Sequence, residues 1–250
     1  MKFICRFFFL VFSFSTFSGV AKSEELKKTR VGISVGNTQL LATNGDRFYT
    51  LDYKANVFVW GADFSQETTD AIISVSSLIS NYKVREQPRQ TSISKLTYLF
   101  RFKPKFRHSE FLIGPLLEAF SFPRELTTDG INIDSESITQ YGPGFTFVLK
   151  LLTSRNSFWT LQGSSYFPLI ASTTSAPADP KNICYSVQTG FAFGPFKQPF
   201  KQPFRQSFKY VTYAADVQYR FDTSSTLNSL ETTKTQIKSY TLKANVSYEF

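Results

Sequence analysis

The sequence predicts an all-β protein: a single closed, antiparallel, up-and-down transmembrane β-barrel of ten strands, with eight strands as the alternative. Three observations predict it. The chain ends in a strictly alternating strand, similar segments recur along it, and the connections are short at one end of the sheet and long at the other. The mean hydropathy of −0.17 argues against a helical membrane protein but suits strands with one wet face.

The last eleven residues have the clearest strand pattern. Because successive side chains of a strand point to opposite faces, this segment has one apolar and one polar face. The apolar parity consists of Tyr240, Leu242, Ala244, Val246, Tyr248 and Phe250, opposite Thr241, Lys243, Asn245, Ser247 and Glu249. We expect the apolar face to contact lipid and the polar face to line the lumen. A soluble β-sandwich or lipocalin-like barrel with an apolar core is the alternative.

Ten runs have about the length that crosses a bilayer at a tilt. The third run, 70–82, also fits a short helix. If it is not a spanning strand, its partner is lost as well and eight strands remain. The runs are 31–42, 47–61, 70–82, 91–104, 108–122, 137–152, 156–168, 184–195, 208–221 and 236–250.

The connections between the runs favour the same topology. If the first strand begins on the periplasmic side, the connections 103–108 and 153–155 lie on that side and are short. The connections 123–136, 169–183 and 222–235 then lie outside and are long. Short inner turns and long outer loops are typical of membrane barrels.

The N-terminus predicts export. Residues 1–23 have the pattern of a cleaved secretory signal peptide: Lys2 and Arg6 flank a short apolar run, and a small-x-small site ends at Ser23. The apolar run is shorter than the ~20 residues of a helical span. We therefore predict two segments, the signal peptide and a barrel domain over 24–250.

The polar faces of the strands predict the lining of the lumen. Charges taken out of bulk water are costly unless they pair, and wide aqueous channels need about 16 or more strands. We therefore predict a narrow bore filled by an ion-pair network; a narrow, weakly anion-preferring pore is the alternative. The predicted lumen charges are Asp52, Lys54, Lys95, Arg101, Glu118, Lys150, Asp216, Arg220, Lys243 and Glu249.

Groups suited to catalysis are few. His108 is the single histidine of the chain, and the topology places it at the periplasmic end. Its neighbour Ser109 points to the opposite face of the strand, so the two do not form a base–nucleophile pair. The sequence contains no metal-ligand cluster and no nucleotide-binding motif. We predict a non-enzymatic protein without catalytic residues, metal or cofactor; a lipid-modifying or proteolytic barrel enzyme is a less favoured alternative.

A four-residue repeat occupies 196–208. Its prolines favour an extended path. One interpretation is an anchor at an anionic membrane surface; the one we favour is a duplicated turn without function, and we predict no nucleic-acid binding. The aromatic and basic residues of the repeat are Phe196, Lys197, Phe200, Lys201, Phe204, Arg205, Phe208 and Lys209.

The export signal, the alternating strands and the terminal Tyr248-Glu249-Phe250 resemble Gram-negative outer-membrane β-barrel proteins. The resemblance covers the mature chain and is architectural, without a specific family. It implies residence in the cell outer membrane, with outer-membrane lipid as a partner and the barrel-assembly machinery as reader of the C-terminal strand. The assembly residues would be Tyr240, Leu242, Val246, Tyr248 and Phe250. We predict a structural or surface-interaction protein whose long outer loops meet an extracellular ligand.

Overall fold

The computed structural model describes most of the chain after the predicted signal peptide. The described residues are 28–45, 50–84, 87–102, 108–127, 133–154, 156–173, 178–179, 184–197, 210–228 and 231–249. The signal peptide, the repeat from residue 198 onward and Phe250 lie outside them. All regular elements in these ranges are β-strands. No helix of this part of the chain has the length and apolar character needed to span a membrane.

Twelve strands follow one another along the described chain. They are β1 (Lys28–Gly45), β2 (Thr50–Glu67), β3 (Ala71–Val84), β4 (Gln87–Phe102), β5 (Ser109–Thr127), β6 (Ile133–Ser154), β7 (Ser157–Tyr166), β8 (Ile170–Thr173), β9 (Ala178–Asp179), β10 (Cys184–Lys197), β11 (Tyr210–Asn228) and β12 (Glu231–Glu249).

Ten of these strands close into an antiparallel up-and-down barrel, which confirms the predicted fold class. The ring runs from β1 to β7, continues through β10, β11 and β12, and closes where β12 pairs with β1. The short strands β8 and β9 extend it at one end, beside β6 and β11. Closure pairs the backbone of every ring strand on both sides, which a sheet in hydrocarbon requires.

The third run is a strand, β3, so the ten-strand prediction is correct and the eight-strand alternative is wrong. β3 pairs with β2 from Val59–Ser80 to Glu67–Ile72 and with β4 along its whole length. The apolar residues of β3 lie on both faces of the strand: Ile72 and Leu78 point inward, and Ile73, Val75 and Ile79 point outward. They therefore do not alternate with polar residues, and their spacing also fits a helix.

Both chain ends of the ring lie at one end of the barrel. β1 starts and β12 finishes there, so we call it the N-terminal end and the opposite one the loop end. At the loop end the connections 123–136 and 222–235, expected to be long loops, are largely strand: β5 and β6 stay paired to Thr127–Ile133. Continued pairing satisfies backbone N–H and C=O groups that in a loop would have to form hydrogen bonds with water.

Strand β12 has the expected alternation. Leu242 is 62% exposed and points outward, whereas Thr241 is buried inside the barrel. On β2 the faces are inverted relative to expectation towards the loop end: Val57 is 1% exposed and faces inward, and Phe58 is 62% exposed and faces outward. The inner face of the barrel is thus polar on one strand and apolar on another.

Candidate functional site: the barrel lumen

Apolar side chains fill the loop-end half of the lumen. They come from six strands around the ring and form one buried cluster, so contacts within it cross the bore instead of following the wall. The members are Leu40 and Ala42 on β1, Leu116, Phe120 and Phe122 on β5, Ile138 on β6, Tyr166 on β7, Cys184 on β10 and Ile237 on β12.

A buried ion group stands beside this cluster. The side chain of Arg220 on β11 is 3% exposed and pairs with Glu118 on β5, four strands away around the ring. Its second partner is Asp222, with Nη2 donating to Oδ1 at 2.6 Å. On the other side of Glu118, Lys95 Nζ lies 3.3 Å from Oε2. We call these charges, together with the apolar cluster, the plug.

Aromatic rings complete the surroundings of Arg220. The guanidinium carbon lies 4.3 Å from the ring centre of Phe120 and 5.5 Å from that of Tyr166. The Tyr166 hydroxyl donates to Gln140 Oε1 at 3.2 Å. A planar guanidinium can pair with carboxylates at its edge and at the same time pack against rings with its face. Arg220 therefore links opposite walls of the barrel by both kinds of contact.

One small cavity lies beside the plug. It has a volume of about 30 Å³, adjoins Phe120 and holds about one water molecule. Two threonines on its wall bond to each other, Thr38 Oγ1 to Thr241 Oγ1 at 2.7 Å. The remaining lining residues are Leu40, Val59, Leu78, Ile79, Ser80, Thr91, Ile93, Ile237 and Ser239.

Charges of alternating sign follow the inner wall at the N-terminal end. Glu249 on β12 lies between two cations of β1, 3.3 Å from Lys28 Nζ and 3.2 Å from Arg30 Nε. Arg30 Nη2 is in turn 3.5 Å from Glu67 Oε2 on β2. The series therefore crosses two strand boundaries, with each acid shared by its neighbours.

Arg101 on β4 continues the series. Its guanidinium pairs with Glu67 and with Glu110 on β5, and its Nη1 donates to the carbonyl oxygens of Thr68 and Thr69 at 3.1 and 2.9 Å. The far end is Lys150 on β6, 3.8 Å from Glu110 Oε2. We call the seven charged residues the rim arc: Lys28, Glu249, Arg30, Glu67, Arg101, Glu110 and Lys150. They lie on six strands of the ring between β12 and β6, with none on β3.

Polar groups occupy the lumen between the plug and the rim arc. Lys243 Nζ donates to Gln188 Oε1 at 3.3 Å, and Asn245 donates to Asp63 Oδ1 at 2.9 Å. Gly36 faces this region: a Cβ there would lie 2.2 Å from the carbonyl oxygen of Leu242, so the close approach of β1 and β12 requires glycine.

The structure places eight of the ten predicted lumen charges on the inner face and corrects two. Asp52 and Lys54 are exposed and share the outward parity of Phe58 and Trp60. The prediction failed at these two residues because the apolar face of β2 points inward and packs against the plug, so the polar face points outward. The alternation itself is as expected. The eight inner residues are Lys95, Arg101, Glu118, Lys150, Asp216, Arg220, Lys243 and Glu249.

Sequence reasoning missed other charged residues of the lumen, among them Lys28, Arg30, Asp63, Glu67, Glu110 and Asp222. All of these except Glu110 lie beyond the predicted run ends, which were drawn to match a bilayer and not the longer paired strands. Glu110 lay inside its run and shares the parity of Glu118, so the period of two could have identified it.

The other predicted residues lie away from the lumen. His108 is exposed, in the turn that precedes β5 at the N-terminal end. Tyr240 and Leu242 are exposed on the outer face, and Val246 and Tyr248 are half-buried on the same parity. Of the repeat, Phe196 and Lys197 end β10, and the rest lies outside the described residues. Within the described part of the chain no group of His, Cys, Asp and Glu could hold a metal ion.

Comparison with solved structures identifies the fold. The chain is similar to the outer-membrane protease OmpT from Escherichia coli, at 9% identity and a TM-score of 0.58, over 92% of this chain and 99% of that one. Neisserial surface protein A (10% identity, 87% and 97% covered, TM-score 0.36) and Ail of Yersinia pestis (12%, 90% and 100%, 0.35) are more distant. No family model matches the sequence, and no curated protein does. The chain has the fold of Gram-negative outer-membrane β-barrels, without a specific family.

Proposed function

We propose that this protein is a non-enzymatic β-barrel of the outer membrane with a closed lumen, serving as a structural or surface-interaction protein. The observation that carries the proposal is the pairing of Arg220 with Glu118 across the bore, beside the apolar cluster. A solute crossing at this level would have to separate a buried ion pair and displace packed aromatic rings. Both steps are costly.

The outer wall supports the membrane assignment. Large apolar side chains that are more than half exposed occur on strands around the ring: Ile33, Phe58, Phe145, Val217 and Leu242. A water-soluble protein rarely exposes contiguous apolar patches larger than a few hundred Å². A belt of this kind is stable where hydrocarbon covers it, as in a membrane barrel.

Planar-bilayer conductance tests the closed lumen. We expect the folded protein to give no discrete current steps. Phe120→Ala combined with Phe122→Ala removes two stacked rings of the plug and should produce steps. Phe145→Ala with Phe147→Ala removes two outward-facing rings of β6 and serves as the matched control, which should stay silent. Discrete steps from the unmodified protein would show that the lumen is a pore.

Heat-modifiable gel mobility tests the membrane barrel itself. A closed transmembrane barrel resists unfolding by SDS until it is boiled, so the unboiled sample should migrate faster than the boiled one. Cell fractionation should recover the protein with the outer membrane. Recovery in a soluble fraction, with one mobility before and after boiling, would overturn the assignment.

The absence of enzymatic activity is a separate part of the proposal. It is supported by the place of His108, which is exposed in a turn at the N-terminal end and far along the barrel from the plug. OmpT, the neighbour named above, is a protease. We expect no peptide or lipid hydrolysis by the purified barrel; a hydrolytic activity lost in His108→Ala would contradict the proposal.

Assembly is proposed to depend on the outward face of β12. Tyr240, Leu242, Val246 and Tyr248 share that face, and Phe250 follows at the chain end. Phe250→Ala should lower the amount of heat-modifiable protein in cells, because the assembly machinery would read the terminal ring. Phe102→Ala, at the end of β4 and 54% exposed, removes a comparable ring elsewhere and should have little effect. Equal loss in both variants would point to general destabilisation.

A further inference from the structure

Two lysines stand together on the outer wall, and one of them, Lys54, was expected in the lumen. Lys54 on β2 and Lys238 on β12 are both exposed. Leu41 on β1 lies between them and is the register partner of each. Since neighbouring strands are about 4.8 Å apart, the two lysine backbones are about 10 Å apart along a line perpendicular to the strands. Two flexible ammonium groups at this spacing can reach one anion.

The pair lies at the upper edge of the apolar belt. Towards the N-terminal end, the next outward residue after Lys238 is Tyr240, and two outward positions along β2 from Lys54 is Phe58. Both are exposed large side chains of the belt. In a membrane, this is the height at which hydrocarbon gives way to headgroups, and lysine stems can lie along the apolar wall with their charges in the polar layer.

An aromatic cluster adjoins Lys238. Phe221 on β11 is the register partner of Lys238, and its ring lies 5.4 Å from that of Tyr185. The Tyr219 and Tyr240 rings are 5.1 Å apart. Rings with an apolar body and a polar tip occupy the membrane interface, so these contacts place the same part of the wall at headgroup height.

The charge of the patch is positive. Among the described residues, neither Lys54 nor Lys238 is within ion-pair distance of an acid. Asp52 lies two residues beyond Lys54 on the same face, and Lys234 lies beyond Lys238. These three lysines and one aspartate have an excess of two positive charges. An anionic surface would complement this patch.

We propose that Lys54 and Lys238 bind the phosphate of an anionic lipid headgroup in the leaflet at the loop end. The site rests on the proposed membrane location of the barrel. Phosphate oxygens accept charge-assisted hydrogen bonds from both ammonium groups, while the lipid chains lie on the belt below. Each lysine near an anionic surface contributes enough that loss of both should weaken binding about 30-fold.

Native mass spectrometry of the detergent-solubilised full-length mature protein tests the site, with phosphatidylglycerol as the probe and phosphatidylcholine as the neutral comparison. We expect phosphatidylglycerol to be retained in preference, with the apparent affinity falling about 30-fold in Lys54→Gln/Lys238→Gln. Asp52→Asn is the matched control: it lies on the same face and removes a negative charge, so retention should be equal or stronger.

Equal retention of the two lipids, or unchanged retention in the double variant, would overturn the site. Displacement of the lipid by millimolar inorganic phosphate would show that the patch binds free phosphate instead of a headgroup. Heat-modifiable mobility of the same samples separates the two proposals. Loss of the compact unboiled form would contradict the membrane barrel, whereas a compact form with lipid-independent behaviour would contradict only the lysine site.

Discussion

The two ends of the lumen contain the same kind of ion pair, arginine with glutamate, in different surroundings. At the loop end, Arg220 and Glu118 have side chains that are 3% and 2% exposed and lie among aromatic rings. At the N-terminal end, the side chain of Arg30 is 29% exposed and its partner Glu249 is 8% exposed. An arginine and a glutamate therefore meet across a dry, packed bore in one place and along a partly wet wall in the other.

The difference determines what each pair does. A buried pair costs desolvation that its attraction only partly recovers, but removing one partner strands the other charge in an apolar site. A partly exposed pair loses little when one member is removed, because water solvates the remaining charge. We therefore expect the plug to depend on every one of its charges and the rim arc to tolerate the loss of one of its more exposed charges.

The largest expected effect is that of Arg220→Met. The methionine fills similar space but leaves Asp222 buried without its cation and Glu118 with Lys95 alone. The free energy of unfolding should fall by about 3–5 kcal/mol. Urea titration of the barrel in lipid vesicles, followed by the fluorescence of Trp60 and Trp159, measures it.

The matched control for this change removes the stranded acids as well. In Arg220→Met/Glu118→Gln/Asp222→Asn no unpaired carboxylate remains in the plug, and the remaining charge, Lys95, has a side chain that is 13% exposed, so most of the loss should be recovered. If the triple variant is as unstable as Arg220→Met, the loss comes from packing against Phe120 and Tyr166 and not from charge burial.

An intermediate effect is expected for Arg101→Met. Arg101 is 12% exposed and bonds two carboxylates and two carbonyl oxygens at the β2–β3 turn. Hydrogen bonds to charged groups contribute about 1.5–3 kcal/mol, and the neighbouring Arg30 and Lys150 still compensate Glu67 and Glu110. The unfolding free energy should fall by about 2 kcal/mol in the same titration. A loss as large as that of Arg220→Met would contradict the distinction between the two ends.

The fold could be predicted from the sequence because apolar and polar residues alternate with a period of two along the strands of a membrane barrel. All ten ring strands overlap predicted runs, including the ambiguous run that forms β3. The runs were too short because bilayer thickness set their length. β5 and β6 instead remain paired beyond their predicted runs, to Thr127–Ile133.

The alternation alone did not reveal which face of a strand points inward. On β12 the polar face lines the lumen, as for Lys243 and Asn245. On β2 the apolar face does, because Val57 and Val59 lie at the height of the dry plug. A period of two separates the two faces of a strand. It does not show which face contacts lipid when part of the lumen is also apolar. The error placed Lys54 inside and hid the outer lysine pair.

The partners of the lumen charges followed from tertiary structure. Arg101, Lys150 and Glu249 were identified by parity, yet Glu67 and Glu110, which connect them, were not. Ion pairs between neighbouring strands depend on register, and register is set by turn geometry and strand length together. Knowing which charges point inward therefore did not predict which of them pair with one another in the rim arc.

A small effect is expected for Arg30→Met. Arg30 is among the more exposed cations of the rim arc, and Lys28 also pairs with Glu249. Exposed ion pairs contribute about 0–1 kcal/mol, so the unfolding free energy should change by no more than about 1 kcal/mol. The measurement is the titration used for Arg220→Met. A loss above about 2 kcal/mol would show that the N-terminal end is as dry as the plug.

The smallest effect concerns salt, and it distinguishes the two ends without removing more charges. At about 1 M ionic strength the screening length falls to about 3 Å, which weakens partly exposed pairs and leaves buried ones nearly unchanged. The penalty of Arg30→Met should therefore shrink towards zero between about 0.1 and 1 M NaCl, by a few tenths of a kcal/mol, while that of Arg220→Met stays constant. Titrations of both variants and the unmodified protein at the two salt concentrations make the comparison. Equal salt dependence of the two penalties would mean that water reaches Arg220, and the lumen would then be open at the plug.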